Sequence, residues 1–487
     1  MERYGFSAVK SLVTIVSLAV LLVFAGCSDS NLPTGSSSET ALDMTTAGTV
    51  LTKSSNGNIG INVLLNTDVT DAILADLGGY GKVRDVLYKV NAVTMQAKAG
   101  ELPTIQALPY VAAANPDAER HGGPVDGVNL ADFTGGLSTW DLDAINVTVE
   151  PFSTDRNVEY TGEGVYVAIL DTGLKDLWRM YFPQERIAVE YAKSFGGGGM
   201  ENGNVSEQPN KWEHDNDSHG THVTSTVIGY SLGGTPINGS APMATIIPVK
   251  VLGQSGWGWS SVIARGIEYI GDLKAGPLAD YPVVINMSLG GPVLDAVEQA
   301  AIDYAIAQGV VICASAGNSG TNGMGYPGAY EPVISAAASG WIYEWEPFPN
   351  RSWWVNLDVA EPTDPEDFYI ASFSSRELSG QDLDIAAPGS WVVGPYQLQS
   401  GKTSYYFLGG TSMASPHVAG VVALMLEKNP TLTAAEVEAI LEASAIPFGA
   451  GSQTIIGPSG AAATVSWGTD ATGAGLLDAE AALAATP

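Results

Sequence analysis

The sequence predicts an α/β fold with a mostly parallel central sheet that is covered by helices on both faces. From Trp140 onward, segments typical of strands alternate with segments typical of helices, which is the pattern of a parallel sheet with crossover helices. The strand segments are continuous apolar runs, and such runs indicate a sheet that is buried on both faces. The predicted strands are 165–170, 244–252, 283–289 and 310–316, and the predicted helices are 260–273, 294–308, 413–427 and 433–443. Thr433 followed by Glu436 is a capping-box pattern at the start of the last helix.

Size and charge narrow the class of protein. The chain has 487 residues, of which 45% are apolar, so it can bury a large core. Its length corresponds to about three domains of typical size. The formal net charge is −31, which argues against nucleic-acid binding because that requires clustered lysine and arginine. An acidic surface keeps an exported protein soluble and also suits salty surroundings, and composition does not separate the two.

Residues 1–26 have the features of an export signal. Arg3 and Lys10 give a positive start, and residues 11–24 form an apolar stretch that is short for a membrane span. The ending Val-Phe-Ala-Gly-Cys resembles the cleavage box of bacterial lipoproteins. This resemblance implies cleavage before Cys27, a lipid on its thiol and attachment to a membrane. The alternative is an ordinary secretion signal, so either reading predicts an exported protein, as a cell-envelope lipoprotein or in secreted form.

The rest of the chain divides by composition. Residues 27–58 are rich in Ser, Thr, Gly and Asn and predict a flexible tether. Residues 59–117 alternate strand-like and helix-like segments, which indicates a small α+β domain. Residues 118–138 lack periodicity and predict an exposed linker. Residues 139–487 form the large α/β domain, and residues 341–370, with four tryptophans and several acids, predict a surface insertion.

Three polar residues stand at the ends or starts of apolar elements in the large domain. Asp171 ends an apolar strand, His219 opens an apolar helix, and Ser412 follows Gly409-Gly410-Thr411 at the start of another. A serine hydroxyl becomes a nucleophile when a neighbouring imidazole takes its proton. A buried carboxylate fixes the imidazole tautomer and stabilises the imidazolium. The start of a helix also favours a developing oxyanion. These residue types therefore suit acyl transfer.

The segments around these residues resemble those of subtilisin-like serine proteases, and their Asp-His-Ser order is the subtilisin order. The resemblance runs from about Trp140 to the end of the chain. It implies a subtilisin-like three-layer fold and a serine endopeptidase in which Asp171 orients, His219 is the base and Ser412 the nucleophile. It also implies that Asn318 donates a hydrogen bond to the oxyanion. The expected substrates are polypeptides, the chemistry requires no cofactor, and we expect a monomer.

The same resemblance assigns substrate contacts. Gly256-Trp257-Gly258 and Ser288-Leu289-Gly290 match the two edges that hold an extended substrate by main-chain hydrogen bonds. Gly325 matches the floor of the pocket for the residue that precedes the cleaved bond, and a floor without a side chain implies room for a large apolar group.

Residues 59–117 resemble the inhibitory propeptide of this family. This implies a folding aid that also inhibits the enzyme and is removed by self-cleavage between about Ala118 and Leu137. The resemblance also makes structural calcium plausible, because members of the family commonly bind it. The sequence does not identify the ligands. Asp215 and Asp217 could bind a cation or could simply belong to a solvated loop.

Three alternative classes of protein fit the sequence less well. His214, His219 and His222 could suggest zinc, but their spacing is not that of a helical zinc pair. A non-catalytic surface protein that binds through the Trp-rich insertion would be expected to lose a catalytic residue. An α/β-hydrolase esterase would need a glycine where Ala414 stands and a serine that precedes the acid and the histidine. His222 and His417 are predicted to be structural.

Overall fold

The computed structural model describes residues 57–129, 138–150, 155–196, 207, 210–232, 235–345, 358–360, 362–397 and 404–487. The predicted signal, Cys27 and nearly all of the predicted tether lie outside these residues. So do residues 130–137 of the predicted linker, together with Trp353 and Trp354 of the predicted insertion.

The amino-terminal part of the described chain forms an antiparallel sheet with two helices. Its elements are β1 (Asn58–Leu65), α1 (Asp71–Tyr80), β2 (Gly81–Leu87), β3 (Ala92–Lys98), α2 (Leu102–Gln106) and β4 (Val111–Pro116). The strand order is β2-β3-β1-β4, and all pairs are antiparallel. Ile61 and Val63 are two residues apart on β1, so both point to the same face, where they pack with Leu77 of α1.

The large domain follows the alternating pattern. Its elements in chain order are β5 (Glu119–His121), β6 (Asp126–Asn129), α3 (Trp140–Ala144), β7 (Tyr166–Asp171), β8 (Lys193–Ser194), α4 (His219–Ile228), β9 (Tyr230–Leu232), β10 (Thr235–Ile237), β11 (Thr245–Lys250), β12 (Trp257–Trp259), α5 (Ser260–Ala275), β13 (Val283–Met287), α6 (Ala296–Ala307), β14 (Val310–Ser315), β15 (Ile334–Trp341), β16 (Phe368–Ile370), β17 (Ile385–Pro388), β18 (Val392–Pro395), β19 (Tyr405–Gly409), α7 (Thr411–Lys428), α8 (Ala434–Ser444), β20 (Gly451–Ile456), β21 (Ala462–Trp467) and α9 (Ala479–Ala485). Short 3-10 turns lie at Ala99–Glu101, Trp178–Met180, Gln184–Arg186, Gly320–Asn322, Pro365–Asp367 and Thr469–Ala471.

The central sheet has eight strands in the order β16-β15-β14-β13-β7-β11-β8, with β17 also paired to β15. Every pair is parallel except β15 with β16. The mostly parallel sheet predicted from the apolar runs is therefore confirmed. The edge strand β16 is antiparallel because it returns from the segment that follows β15, as edge strands of such sheets often do.

Helices cover both faces of the central sheet. Val167 and Ile169 of β7 pack in one apolar cluster with side chains of α7, whereas Ala168 and Leu170 pack in a second cluster with α5 and α6. Side chains alternate along a strand, so these two clusters lie on opposite faces. The three-layer prediction is confirmed, and α7 is buried from Thr411 to Leu426. None of the helices among the described residues is both long and apolar enough to cross a membrane.

The predictions of two exposed segments were wrong in part. Much of the described linker is exposed, as expected, but β5 pairs with β12, β6 pairs with β19, and the side chain of Arg120 is fully buried. The insertion was expected at the surface, but Trp341 and Trp345 lie in the main core. Trp345 contacts the ring of Phe407. Aromatic side chains carry large apolar areas, and these two tryptophans bury theirs despite the polar residues around them.

Helix α7 packs closely against the turn that contains Ser240. A Cβ atom on Gly420 would lie 1.9 Å from Ser240 Oγ, so the absence of a side chain permits this packing. We expect Gly420→Ala, made in a Ser412→Ala background that removes the predicted nucleophile, to reduce the free energy of unfolding by about 1–3 kcal/mol because overpacking strains the core. Chemical denaturation followed by tryptophan fluorescence measures the change.

The matched control is Gly449→Ala, because a Cβ atom on Gly449 would meet nothing within 4 Å. Equal stability of the two alanine variants would contradict the packing argument.

Candidate active site

The three predicted catalytic residues lie at the ends of elements that meet at one edge of the sheet. Asp171 is the last residue of β7, His219 is the first residue of α4, and Ser412 is the second residue of α7. The carboxyl ends of parallel strands meet at the same edge of a sheet, where polar residues can face one another. Continuous apolar runs fix β7 and α7 in the core, and the polar residues fall where these runs begin or end.

The structure places Asp171 and His219 in direct contact. His219 Nδ1 lies 2.8 Å from Asp171 Oδ1 and 3.0 Å from Oδ2, and both side chains are fully buried. A Cβ atom on Gly220 would lie 2.4 Å from the carbonyl oxygen of Gly173. A glycine after His219 therefore lets α4 approach the end of β7 closely enough for this hydrogen bond.

The other ring nitrogen of His219 is free. Nε2 is buried and has no hydrogen-bond partner among the described residues. Ser412 Oγ donates to the carbonyl oxygen of Ser288 at 3.2 Å. In this conformation the hydroxyl of Ser412 is thus engaged by Ser288, and the imidazole nitrogen that faces away from Asp171 is available to accept a proton.

Carboxylates around His219 set its charge. Burial lowers the pKa of His219, but the adjacent Asp171, together with Asp217 and Asp215, outweighs burial and raises it above the ordinary value. Burial raises the pKa of Asp215 to about 7, although nearby Lys250 opposes the shift. His219 therefore lies among carboxylates that favour its protonated form.

A second set of hydrogen bonds supports the contact between Asp171 and His219, and most of its members were not predicted from the sequence. Thr172 Oγ1 donates to Asp215 Oδ2 at 3.0 Å and accepts from the backbone N–H of Gly220 at 2.9 Å. The ammonium of Lys250 donates to the carbonyl oxygen of Thr172. Asp215, which had been considered for a cation or a solvated loop, is buried within this network. The only sequence signal was the position of Thr172 directly after Asp171.

Asn318 is held beside Ser412 through Thr411. Asn318 Oδ1 accepts from the backbone N–H and from Oγ1 of Thr411, both at 2.9 Å. These contacts orient the side-chain amide, so its NH₂ group remains as a donor next to the start of α7. Thr411 is a positioning residue that sequence reasoning did not single out.

The two predicted substrate edges hold one extended strand between them. The edge that contains Gly256, Trp257 and Gly258 pairs antiparallel with β5, and the N–H of Gly122 donates to the carbonyl oxygen of Gly256 at 2.8 Å. On the other edge, Gly290 exchanges two hydrogen bonds with His121, at 2.9 and 2.8 Å. The strand belongs to the chain itself, to the segment that was predicted to be a linker.

This segment passes directly over the predicted catalytic residues. A Cβ atom on Gly122 would lie 3.0 Å from the carbonyl oxygen of Ser288 and 3.4 Å from His219 Cε1. Farther along, the N–H of Val125 donates to the carbonyl oxygen of Gly409 at 2.7 Å. The main chain is therefore anchored on both sides of Ser412, and Gly123 lies midway between the anchors.

The remaining predicted substrate contacts lie around this strand. Leu289 is fully buried beneath its edge, and Trp257 is 43% exposed and packs edge-on against the ring of His121. Gly325 lies behind the edge that ends at Gly290, where a Cβ atom would meet its first neighbour at 3.5 Å. A Cβ atom at Gly325 would therefore be in ordinary van der Waals contact with Gly290 and Gly291.

The other histidines have separate surroundings. His417 bridges the carbonyl oxygen of Met413 and Asp141 Oδ2, at 2.8 Å each, and is fully buried, which confirms its structural role. His222 is also buried, as predicted for a structural residue, and burial lowers its pKa to about 3. His214 is exposed.

An acidic cluster lies apart from these residues. Asp382, Asp384 and Glu438 have carboxylate oxygens within 4.8 Å of one another. Burial raises the pKa of Asp384 to about 7 and that of Glu438 to about 8. Oδ1 of the buried Asp384 has no hydrogen-bond partner among the described residues. Such oxygen donors suit a hard cation such as Ca²⁺.

Ser218, which precedes His219, has a backbone conformation that favours glycine. Its φ is +76° and it caps the start of α4. A left-handed conformation costs a residue with a Cβ atom roughly 1–2 kcal/mol, and glycine avoids this cost at the expense of some backbone entropy. We expect Ser218→Gly, in a Ser412→Ala background, to increase the free energy of unfolding by about 0.5–1 kcal/mol, measured by chemical denaturation.

Ser218→Ala is the control, because alanine keeps the Cβ atom and should give no increase. A glycine variant no more stable than the alanine variant would show that the backbone at this position is not strained.

Comparisons with known proteins agree with this geometry. The model of the subtilase family, Peptidase_S8, matches residues 162–478. Subtilisin DY from Bacillus licheniformis is 36% identical over 296 residues, which are 60% of this chain and 86% of that protein. Subtilisin E from Bacillus subtilis (strain 168) is 34% identical over 296 residues, 62% of its own length.

A solved structure shows the same fold. Fervidolysin from Fervidobacterium pennivorans, described as a keratinolytic enzyme related to subtilisin, superposes with a TM-score of 0.59 at 24% identity, over 88% of this chain and 61% of that one. The family match covers more than half of the chain, so this protein belongs to the subtilase family and is a serine-type endopeptidase with a subtilisin-like fold.

Proposed function

We propose that this endopeptidase uses Asp171, His219 and Ser412 as its catalytic triad and is made as a self-processed precursor. The observation that carries the proposal is the buried contact between Asp171 and His219 Nδ1, which leaves Nε2 unpaired. The neutral imidazole takes the proton of Ser412 Oγ as the oxygen attacks the carbonyl carbon of the substrate. Asp171 stabilises the imidazolium that forms.

The tetrahedral intermediate needs a donor for its oxyanion. We assign this role to the side-chain amide of Asn318, which Thr411 orients beside Ser412. Loss of such a donor typically costs about 100- to 1000-fold in rate. Collapse of the intermediate expels the amine, which takes the proton from His219, and leaves an acyl group on Ser412. Water, activated by the same imidazole, then hydrolyses the acyl-enzyme.

The expected substrates are polypeptides in extended conformation. Support comes from β5, which is held by main-chain hydrogen bonds to both edges of the cleft, as a substrate strand would be. The absence of a side chain at Gly325, next to Gly290 and Gly291 of the cleft edge, supports a pocket for a large apolar residue directly before the cleaved bond.

We propose that residues 59–117 are an inhibitory propeptide. Asp117 accepts from the N–H and the hydroxyl of Ser261, at 3.0 and 2.6 Å, and so caps the start of α5. Asn62 donates to Asp295 Oδ2 at 2.7 Å, at the start of α6. These contacts hold the small domain against the enzyme and place the next residues in the cleft. The cut falls between Ala118 and Leu137, a range that includes Gly123.

Export and calcium belong to the same proposal. The leader sequence supports export and, through a lipid on Cys27, attachment to a membrane. If calcium binds, Asp382, Asp384 and Glu438 would hold it, because the unpaired oxygen of Asp384 lacks any other partner among the described residues. The ion would add stability and take no part in the chemistry.

Ser412→Ala tests the nucleophile and the self-processing together. We expect the variant to accumulate as the uncut precursor and to resist labelling by phenylmethylsulfonyl fluoride, because no hydroxyl remains to attack. Intact-mass spectrometry of the purified protein measures both the length of the chain and the presence or absence of the inhibitor adduct. Ser415→Ala is the control, because Ser415 Oγ donates to Asn286 Oδ1 at 2.6 Å and is thus engaged by a residue outside the proposed triad. Normal processing of the Ser412→Ala variant would defeat the proposal.

The pH profile tests the charge of His219. Its pKa is raised above about 6.5, and the base must be neutral to take a proton, so kcat/KM should fall as the pH drops through that raised pKa. Asp217→Asn removes a carboxylate that raises this pKa, so the acid limb of the profile should move to lower pH. The exposed Asp280→Asn is the control and should leave the limb in place. An unchanged limb in Asp217→Asn would contradict the electrostatic argument.

A further inference from the structure

Arg120 is the one residue of the cleft-bound strand whose side chain is fully buried in the enzyme. Its guanidinium forms an ion pair with Glu298, and both side chains have no exposed surface. Nε donates to Glu298 Oε1 at 3.1 Å, and a terminal nitrogen donates to Glu298 Oε2, so the pairing is bidentate. The same terminal nitrogen also donates to the carbonyl oxygen of Val293 at 3.0 Å. The pocket therefore presents only acceptors, in the arrangement that a guanidinium requires.

The two partners belong to different parts of the precursor. With the cut at Gly123 or later in the proposed range, Arg120 lies on the segment that processing removes, whereas Glu298 and Val293 belong to the enzyme. Among the described residues, Arg120 is the only cation paired with Glu298. Asp295, at the start of α6, adds a second negative charge near the guanidinium. Departure of the segment thus leaves the enzyme with an acidic pocket and no cation of its own to fill it.

The position of this pocket along the substrate follows from the backbone register. Gly122 lies beside Ser288 and His219, and the N–H of Val125 is bonded to Gly409, so we take the carbonyl of Gly123, which lies between these anchors, as the one that a substrate bound in this register presents to Ser412. Arg120 is then the fourth residue on the amino side of the bond that faces the nucleophile. Side chains alternate along a strand, which agrees with the exposed side chain of His121 next to the buried one of Arg120.

We infer that Glu298 makes this enzyme select arginine at the fourth position before the cleaved bond. A substrate bound by the same main-chain hydrogen bonds sends the side chain of that residue into the Glu298 pocket. Arginine satisfies the carboxylate bidentately and reaches the carbonyl of Val293. The ammonium of lysine is a point charge that cannot form this planar bidentate pairing, so we expect substrates with lysine at this position to be cleaved less efficiently than those with arginine. The inference rests on the proposed cleavage mechanism and adds a substrate class to it.

Matched peptides test this inference on processed enzyme obtained by expressing the full chain. Casein digestion first establishes activity and the residue preferred directly before the cut. Fluorogenic peptides then carry that residue and either arginine or citrulline at the fourth position. Citrulline has the shape of arginine without its charge. We expect kcat/KM to be about 10- to 100-fold higher for the arginine peptide, and the ratio to fall below about twofold in Glu298→Gln with little change for the citrulline peptide.

Glu298→Gln leaves Arg120 buried without a carboxylate in the precursor, so this variant could fail to fold. Arg120→Met combined with Glu298→Gln removes both charges, and its processed enzyme differs from the native one only at residue 298. Glu480→Gln, an exposed acid on α9, is the control for loss of one negative charge and should keep the native ratio.

The outcomes separate this inference from the proposal beneath it. Native enzyme that digests casein but cleaves both peptides equally overturns the Glu298 pocket alone, as does a preference for arginine that persists in the double variant. Native protein that digests neither casein nor peptides overturns the proposed triad and this inference with it.

Discussion

The buried hydrogen bond between Asp171 and His219 is the constraint around which this edge of the sheet is organised. A carboxylate with no exposed surface is costly unless charged or polar groups compensate it. Here the imidazole, the N–H of Thr172 at 2.6 Å and the nearby network of Thr172, Asp215 and Lys250 supply that compensation. The cost of burial also explains the glycine after His219, because any side chain there would push α4 away from β7.

Under the proposed function, the cleft edges bind two kinds of strand with one set of contacts. Main-chain hydrogen bonds do not depend on side chains, so the edges can bind the chain's own segment and many foreign polypeptides alike. In the proposed precursor, self-binding is favoured because the small domain is tethered and its contacts with the starts of α5 and α6 keep the segment at high effective concentration. The proposed cut would remove that advantage and make the same hydrogen bonds available to substrates.

Much of this architecture could be predicted from the sequence. Continuous apolar runs located the four predicted strands of the central sheet to within a residue or two, and the capping box at Thr433 and Glu436 is present as expected. The structure also brings the predicted Asp171, His219 and cleft edges into one site, because each stands at an element boundary that the apolar pattern defines. The described parts of residues 118–138 and 341–370 were harder to predict. The ordered structure of these segments comes from strand pairing and packing with residues far away in the chain. Local composition does not reveal such partners.

Arg120 shows most clearly why that information is missing from the local sequence. A lone arginine in a stretch with Gly and Pro is typical of an exposed linker, yet its burial depends on Glu298, which lies far along the chain. Removing one partner of a buried ion pair typically costs about 3–5 kcal/mol, because the other charge remains without compensation. Release of the segment by the proposed cut would leave Glu298 in a state that only water, a proton or a new cation can relieve, and burial already raises the pKa of this carboxyl against the opposing effect of Arg120. The contact that closes the proposed precursor would thus also give the processed enzyme an affinity for a positively charged side chain.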